Sequence, residues 1–322
     1  MSINRPPKNS DSQTYTDIER RTKEVYIPQH HNYIKDKSIF NRFFNIASNP
    51  ATYDLSKEFF SGKTVLDAGC GNTGYFQVAM IALGVKKISC LDLGVDWIPE
   101  LKNVVEKYGI EQHSIDYFEG STTKLPFGDE SFDFVASNGV IMHLETVTDA
   151  SVAIQELSRV TRRGGALYIY SGVDSPGIVD RYIVPALRKA YVEDDSFRSF
   201  VDNIDHKKIS DQLKQCFTEA QTFDQSISTD VIDKLQRLFT LDSSTFIQNM
   251  LQVPIQQGPS LGFDWIKAQL ESLGLKNIRR VKEQYWLRND FRKYLAPLHY
   301  YREAEISRLL YGNGHVKVIC EK

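Results

Sequence analysis

The sequence lacks several features that would place it in a special class of protein. Its cysteines are few and form no CxxC pair, which argues against a zinc knuckle and against a disulfide framework; they are Cys70, Cys90, Cys216 and Cys320. No stretch approaches the ~20 consecutive apolar residues that a membrane-spanning helix needs. The 39 basic and 41 acidic side chains nearly balance, so no basic surplus favours nucleic acid or an anionic membrane.

The amino terminus also lacks the apolar core, flanked by basic residues, that defines a signal peptide. Residues 1–16 are rich in Ser, Asn, Asp and Pro and are predicted to be a disordered tail. Aromatic residues at mixed helical spacings predict a helical segment over residues 17–60. Unpaired thiols fit a reducing compartment, so we expect a cytoplasmic protein.

What the sequence does contain is an alternation of strands and helices that begins near residue 61. Five short apolar runs predict strands at 63–67, 87–92, 114–119, 132–137 and 166–170. The segments between them predict helices at 75–83, 97–108 and 147–160. Strands that alternate with helices of this length indicate βαβ units and a parallel sheet, and thus an α/β fold.

The alternation stops after Ser171 and resumes late in the chain. A helix at 262–273 and strands at 276–281 and 316–321 complete the pattern. We therefore predict one sheet domain formed by residues 61–171 and 260–322. Residues 172–259 form a helical cap inserted after the fifth strand, since so long a connection is usually a functional element or a subdomain.

A glycine-rich loop follows the first predicted strand, in the segment TVLDAGCGNTGYF. Gly69, Gly71 and Gly74 permit a tight strand-to-helix turn and let a ligand approach the backbone. Asp92 ends the second strand, where a carboxylate can accept hydrogen bonds from both hydroxyls of a ribose. This pattern alone fits either NAD or S-adenosylmethionine (SAM).

Asp67 favours the second of these cofactors. An acid beside the loop would repel the pyrophosphate of a dinucleotide, which binds at the helix amino terminus. SAM has no phosphate and carries a cationic sulfonium and an α-ammonium group, which a nearby carboxylate attracts. The alternative is that Asp67 only caps the following turn.

Three ordered segments resemble successive motifs of class I SAM-dependent methyltransferases: LDAGCGNTGYF, LPFGDESFDFVASNGVIMHL and LSRVTRRGGALYIYSG. They are most similar to the broad group that includes the ubiquinone and menaquinone biosynthesis methyltransferases. The resemblance covers roughly residues 61–171. It implies a Rossmann-like sheet of seven strands, SAM as cofactor and S-adenosylhomocysteine (SAH) as product. It does not specify the acceptor, because this family methylates many substrates.

The resemblance also implies roles for individual residues. Asp67, Gly69 and Gly71 would surround the methionine part of SAM, and Asp92 would bind the ribose, with Leu93 packing beside the adenine. Ser121 stands where the family commonly has an Asp that accepts a hydrogen bond from the adenine amino group, and Thr122 would offer its backbone N–H to the ring. Ser121 and the late position of Gly74 depart from the family pattern, and both are compatible with a reduced affinity for SAM. The predicted cofactor contacts are Asp67, Gly69, Gly71, Asp92, Leu93, Ser121, Thr122 and Asn138.

Two histidines are candidate catalytic groups. The loop after the fourth strand would face the sulfonium and the acceptor, so His143 is a candidate general base; alternatively it packs below the site. In the family the last strand is antiparallel and follows a hairpin, which would put His315 at the rim of the active site; alternatively it faces solvent. No convergent set of carboxylates and no histidine pair has ligand spacing, so we predict no metal.

The cap and a basic segment bear on the acceptor. A cap over the crevice would enclose it, and the cap's aromatic residues would line the acceptor pocket or form the cap's own core: Tyr182, Tyr191, Phe197, Phe200, Phe239 and Phe246. Residues 279–302 are basic and aromatic, and would hold an anionic group or form a solvated helix face.

These features lead to a prediction of methyl transfer to a small or medium-sized metabolite, with a modest preference for an anionic one. The alternatives are a peptide, protein or RNA acceptor, and a catalytically silent SAM-fold binding protein, which the missing acid at Ser121 would suit. The least favoured alternative is an NAD oxidoreductase.

Overall fold

The computed structural model describes residues 37–94, 98–109, 114–173, 178–223, 261–281 and 315–322, together with residues 19, 20, 22, 228 and 229. Within these residues the strands are β1 (Thr64–Ala68), β2 (Lys87–Asp92), β3 (Ile115–Glu119), β4 (Phe132–Asn138), β5 (Thr161–Val173), β6 (Lys276–Arg280) and β7 (His315–Glu321). They form one sheet in the order β3-β2-β1-β4-β5-β7-β6. The first five strands pair in parallel, and β7 runs antiparallel to both β5 and β6.

The described helices of four residues or more are α1 (Lys37–Ala47), α2 (Lys57–Phe60), α3 (Tyr75–Ala82), α4 (Ile98–Lys107), α5 (Val147–Val160), α6 (Val184–Glu193), α7 (Asp195–Asp202), α8 (His206–Phe223) and α9 (Phe263–Ser272). Short 3-10 turns lie at Pro50–Tyr53 and Ile141–His143, and a π-helical turn at Val179–Ile183 precedes α6. Helix α5 begins with a capping box, in which Thr146 and Asp149 exchange hydrogen bonds between side chain and backbone. None of the described helices combines the length and the apolar character needed to cross a bilayer.

Apolar residues cover both faces of the sheet, because successive side chains of a strand point to opposite sides. In β1, Val65 belongs to an apolar cluster shared with α1, α3 and α4, whereas Leu66 belongs to a second cluster shared with α5 and α9. The result is a three-layer α/β architecture with helices on both faces. The predicted Rossmann-like sheet of seven strands is therefore confirmed.

Strand β5 is longer than predicted. It begins at Thr161 rather than near residue 166, and Thr161 pairs with Phe132 of β4. The register shifts between Phe132 and Phe134. This irregularity interrupts the alternation of apolar and polar residues, and Arg162 and Arg163 are exposed, so the first part of the strand has no strand-like pattern in the sequence.

The chain divides into two compact units. The first comprises residues 1–175, 256–284 and 315–322, and the second comprises 176–255 and 285–314. Helices α6, α7 and α8 belong to the second unit, so a helical insertion follows β5. The predicted domain boundaries, including the tail at 1–16, and the placement of the insertion over the crevice stay predictions.

Two aromatic residues of the insertion contradict the expectation that they form its core. Tyr182 and Phe200 are 66% and 68% exposed, so these two side chains do not form a core of the insertion. The hydroxyl of Tyr191 donates a hydrogen bond of 2.6 Å to Asp202 on α7. Phe239 and Phe246 lie outside the described residues.

Candidate functional site

A cavity lies at the carboxyl ends of β1, β2, β3 and β4. The strand order reverses between the neighbouring strands β1 and β4, and in open α/β sheets ligands bind in the crevice outside such a switch point. The whole cavity belongs to the first compact unit. Its described lining residues are Glu19, Thr22, Phe43, Gly69, Cys70, Gly71, Asn72, Thr73, Tyr75, Leu91, Asp92, Leu93, Gly120, Thr122, Asn138, Gly139, Val140, His143 and Leu144.

The turn after β1 forms one wall of the cavity, and Gly69 shows why it must contain glycine. Gly69 has a φ of +93°, and its amide donates a hydrogen bond of 2.8 Å to the carbonyl of Leu91, at the end of β2. A Cβ atom at this position would lie 2.1 Å from Cγ2 of Val140, in the loop after β4. The two loops at the switch point therefore approach each other too closely for any side chain at residue 69.

Gly74, the glycine that departs from the family spacing, has a different role. It is the N-cap residue of α3 with a φ of +73°, and a Cβ atom there would lie 2.7 Å from Cγ1 of Val104 on α4. The close approach of Val104 and the positive φ thus favour glycine at residue 74.

The carboxylate of Asp92 is fixed by the backbone on both sides. The amide of Gly71 donates a hydrogen bond of 2.9 Å to Oδ2, and the amide of Leu93 donates one of 2.8 Å to Oδ1. The two amides fix the orientation of both carboxylate oxygens. Asp92 also lines the cavity. This is the pair of oriented acceptors that the two hydroxyls of a ribose require.

Asp67 lies beneath the loop, and it is not among the described residues that line the cavity. Its side chain is 2% exposed and accepts a hydrogen bond of 2.7 Å from Nε2 of Gln77 on α3. Burial, and then the negative charge of Asp92, raise the pKa of Asp67 to about 8, although the bond from Gln77 opposes this shift. The contact predicted between Asp67 and the cofactor is therefore not seen at the cavity wall. A cation in the cavity would stabilise the ionised form and lower this pKa, whereas an anion would stabilise the protonated form.

Ser121 is also withdrawn from the described cavity wall. It is 4% exposed, and its hydroxyl donates a hydrogen bond of 2.5 Å to Oε1 of Glu19. Its Oγ also lies 2.8 Å from Oγ1 of Thr123 and accepts from the amide of Thr123 at 3.2 Å. With its proton given to Glu19 and its two lone pairs directed to Thr123, the hydroxyl has no acceptor position left for an adenine. The neighbouring Thr122 does line the cavity.

The two candidate catalytic histidines differ in what the structure shows. His143 ends the 3-10 turn after β4 and lines the cavity. His315 is the first residue of β7 and pairs with Val173, the last residue of β5, and its side chain lies outside the described residues. Its position is at the carboxyl end of β5, as expected from the topology; its contact with a ligand stays a prediction.

Several lining residues were not predicted from the sequence. The rings of Phe43 and Tyr75 stack with centroids 5.1 Å apart, and Asn138 donates a hydrogen bond of 3.3 Å to the Tyr75 hydroxyl. Tyr75 follows the glycine-rich loop directly, a position that could have indicated it. Glu19 and Thr22 come from the amino-terminal segment, for which the sequence carries no comparable signal.

The first residues of the basic segment are described. Arg279 forms an ion pair with Asp54 in which Nε lies 2.5 Å from Oδ2, and a second nitrogen lies 3.9 Å from Glu321. Its charge is thus neutralised within the sheet domain, which weakens the case for Arg279 as an anion-binding residue. The residues from Lys282 to Arg302 lie outside the described residues.

Comparison with known proteins agrees with this site. Residues 66–169 match the family model described as a methyltransferase domain. An Arabidopsis thaliana tRNA (carboxymethyluridine(34)-5-O)-methyltransferase is 35% identical over 109 residues, covering 34% of this chain and 24% of that protein. The demethylmenaquinone methyltransferase of Geobacillus stearothermophilus is 30% identical over 105 residues, covering 32% of this chain and 43% of that protein.

Among solved structures, the YcgJ protein of Bacillus subtilis aligns with a TM-score of 0.41 at 13% identity, covering 81% of this chain and 92% of that one. The matched region spans less than half the length of either methyltransferase named above. Residues 66–169 therefore resemble a methyltransferase domain, and the glycine-rich turn, Asp92 and the strand order agree with that match.

Proposed function

We propose that the chain transfers a methyl group from SAM to a small or medium-sized metabolite. The observation that supports this most directly is the Asp92 carboxylate, which two backbone amides hold at the wall of the switch-point cavity. An acceptor pair in this position suits the ribose of an adenosine-bearing cofactor. A catalytically silent protein would be supported by a damaged cofactor site. Asp92 and the glycine-rich turn are intact, so this support is missing.

The described residues fit SAM rather than a dinucleotide. Leu93 lies next to the ribose-binding carboxylate, where an adenine ring would pack, and the turn with Gly69 and Gly71 would meet the methionine part. Asp67 is buried beneath the turn, where a cationic ligand would favour its ionised form and an anionic ligand would not. When bound, SAM supplies a methyl group that its sulfonium has already activated, so the protein contributes mainly orientation and charge placement.

His143 is the residue we propose for proton removal from the acceptor. It lines the cavity and follows β4. In the sheet, β1 separates β4 from β2, which carries the proposed ribose-binding residue Asp92. A histidine is suited to accept a proton near neutral pH, which methylation of a hydroxyl or a carbon requires more than methylation of an amine. His315 is the second candidate for this side of the site.

The acceptor is proposed from two observations. Helices α6, α7 and α8 follow β5, as the sequence prediction of a cap requires, and Arg279, the first residue of the basic segment, is already paired with Asp54. RNA is the second candidate, because relatives that match residues of the same domain carry the names of tRNA methyltransferases. These matches cover the part of the chain that holds the cofactor site, which does not select the acceptor.

The test is to incubate the purified chain with SAM labelled on the methyl group, adding either a small-molecule extract or total tRNA. Label that enters the small-molecule fraction, and is lost with Asp92→Asn, is the expected result. Label that enters only tRNA would overturn the metabolite proposal and establish the second candidate. If neither fraction gains label although SAM binds, the acceptor proposal fails while the cofactor assignment stands.

A further inference from the structure

Glu19 is a carboxylate at the cofactor cavity to which the methyltransferase pattern gives no role. It comes from the amino-terminal segment, about a hundred residues before the motif it contacts, and helical backbone is described at residues 19, 20 and 22. Its side chain is buried, with 7% of its surface exposed, yet it lines the cavity. A buried carboxylate at a ligand cavity costs solvation free energy, so a polar partner is expected for it.

One partner of this carboxylate is Ser121, whose hydroxyl donates to Oε1 of Glu19 at 2.5 Å. Ser121 occupies the position at which the family commonly has an acid that accepts from the adenine amino group. As described above, the Ser121 hydroxyl is saturated by Glu19 and Thr123. The position at which the family's acid is missing therefore lies next to another acid, Glu19, which comes from a different part of the chain.

We propose that Glu19 replaces the missing acid and accepts the hydrogen bond from the adenine amino group of SAM. Ser121 is then a positioning residue, because its hydroxyl fixes one carboxylate oxygen of Glu19. A carboxylate can accept several hydrogen bonds at once, so the bond from Ser121 is compatible with one from an adenine amino group. Leu93 and Thr122, which the family pattern puts beside the adenine, line the same cavity as Glu19. This inference rests on the proposed SAM site and extends it.

The same arrangement couples the cofactor to the amino-terminal segment. Thr22, three residues after Glu19, also lines the cavity, so one helical turn contributes two groups to its wall. Binding of the adenine would hold this turn in place, and the turn would in return shield the adenine from water. We therefore expect a chain that begins after residue 22 to bind SAM less tightly than the full chain.

The experiment compares SAH with an analogue whose purine lacks the 6-amino group, using calorimetric titration of the full chain. Glu19→Gln should weaken SAH binding by roughly tenfold to a hundredfold, the range for a lost hydrogen bond to a charged group, because its amide nitrogen would face another donor. The same variant should leave the affinity for the analogue unchanged within about threefold. The matched control is Glu58→Gln, a glutamate on α2 that the cavity wall does not include.

A second variant separates a lost acceptor from a folding defect, because a misfolded chain would not regain affinity when an acid is restored. Glu19→Gln combined with Ser121→Asp restores an acid at the family position, and should recover the SAH affinity of the original chain. Equal losses for SAH and the analogue, or no loss for either, would overturn the proposal. An original chain that binds neither SAM nor SAH would overturn the proposed function and this inference together, whereas unchanged SAH binding by Glu19→Gln overturns this inference alone.

Discussion

The side-chain amide of Gln77 donates a hydrogen bond of 2.7 Å to the carboxyl group of Asp67, inside the turn that joins β1 to α3. Burial and the charge of Asp92 raise the pKa of Asp67 to about 8, so at pH 7 this carboxyl group is mostly protonated in the ligand-free protein. A cationic ligand in the cavity favours the ionised form and lowers this pKa.

We therefore predict that binding of SAM at pH 7 releases protons from Asp67. Calorimetric titrations in two buffers of different ionisation enthalpy, at the same pH, measure the number released. The heats should differ between the buffers for the original chain and agree for Asp67→Asn. Equal heats for the original chain would show that Asp67 does not respond to the cofactor.

The same shift predicts how the stability of the ligand-free protein depends on pH. Because the folded-state pKa is raised from 3.8 to about 8, the folded protein binds one more proton than the unfolded chain between these values. The contribution of Asp67 to the free energy of unfolding is fully present below the lower value and is lost as pH rises through the higher one. Urea unfolding across this range should show a steeper decline for the original chain than for Asp67→Asn.

Gly69→Ala should reduce both stability and SAM affinity. The substitution places a Cβ atom 2.1 Å from Val140 and forces alanine to a φ of +93°, so we expect a cost of about 1–3 kcal/mol or more. Gly62→Ala is the matched control, since Gly62 has a φ of +71° and nothing lies within 4 Å of the new atom. Urea unfolding should show a larger loss at residue 69 than at residue 62.

Adding Val140→Ala to Gly69→Ala should recover part of that difference, because it removes the two Cγ atoms nearest the clash. Equal losses for Gly69→Ala and Gly62→Ala, with no recovery in the double variant, would mean that the contact between the two loops does not constrain residue 69.

His143→Gln should lower the rate of methyl transfer while leaving SAM binding nearly unchanged. Positioned general bases contribute about 10²–10⁴-fold, so kcat should fall by that range and the dissociation constant of SAM should change by less than about threefold. The pH–rate profile should lose its acidic limb at the same time. An unchanged kcat would assign His143 to packing at the cavity wall.

The four thiols should differ sharply in reactivity. Cys216 on α8 is exposed, whereas Cys70, Cys90 and Cys320 are buried. Burial raises the pKa of the Cys70 thiol well above its usual range and that of Cys320 to about 12, so few thiolates form there. Iodoacetamide followed by peptide mass spectrometry should find rapid alkylation at Cys216 alone. Comparable labelling of Cys70 would contradict the described packing of the loop.

Much of the fold could be predicted from the sequence because its pattern is local. The glycine-rich turn, Asp92 and the alternation of strands with helices are read within short windows, and strands such as β2 lie where they were expected. The start of β5 was missed because the irregularity opposite Phe132 breaks that alternation.

The partners of site residues were harder to predict, because they are set by tertiary contacts. The sequence pointed to Asp67 as a ligand contact, but its proximity to Gln77 on α3 directs it below the loop. It likewise pointed to Ser121, but Glu19, 102 positions away in the chain, engages the hydroxyl. A family pattern indicates which positions surround the ligand, and it does not show a residue that reaches the same place from another segment.

The measurement that tests the central claim most directly is calorimetric titration of SAM into the original chain, Asp92→Asn and Asp116→Asn. Asp116 is the matched control, because it lies on the neighbouring strand β3 and pairs with Lys87 at 2.8 Å, away from the described cavity wall. We predict one SAM bound per chain, a loss of roughly tenfold to a hundredfold for Asp92→Asn, and no loss for Asp116→Asn. No binding at tens of micromolar SAM, or equal binding by Asp92→Asn, would contradict the assignment of this cavity as the cofactor site.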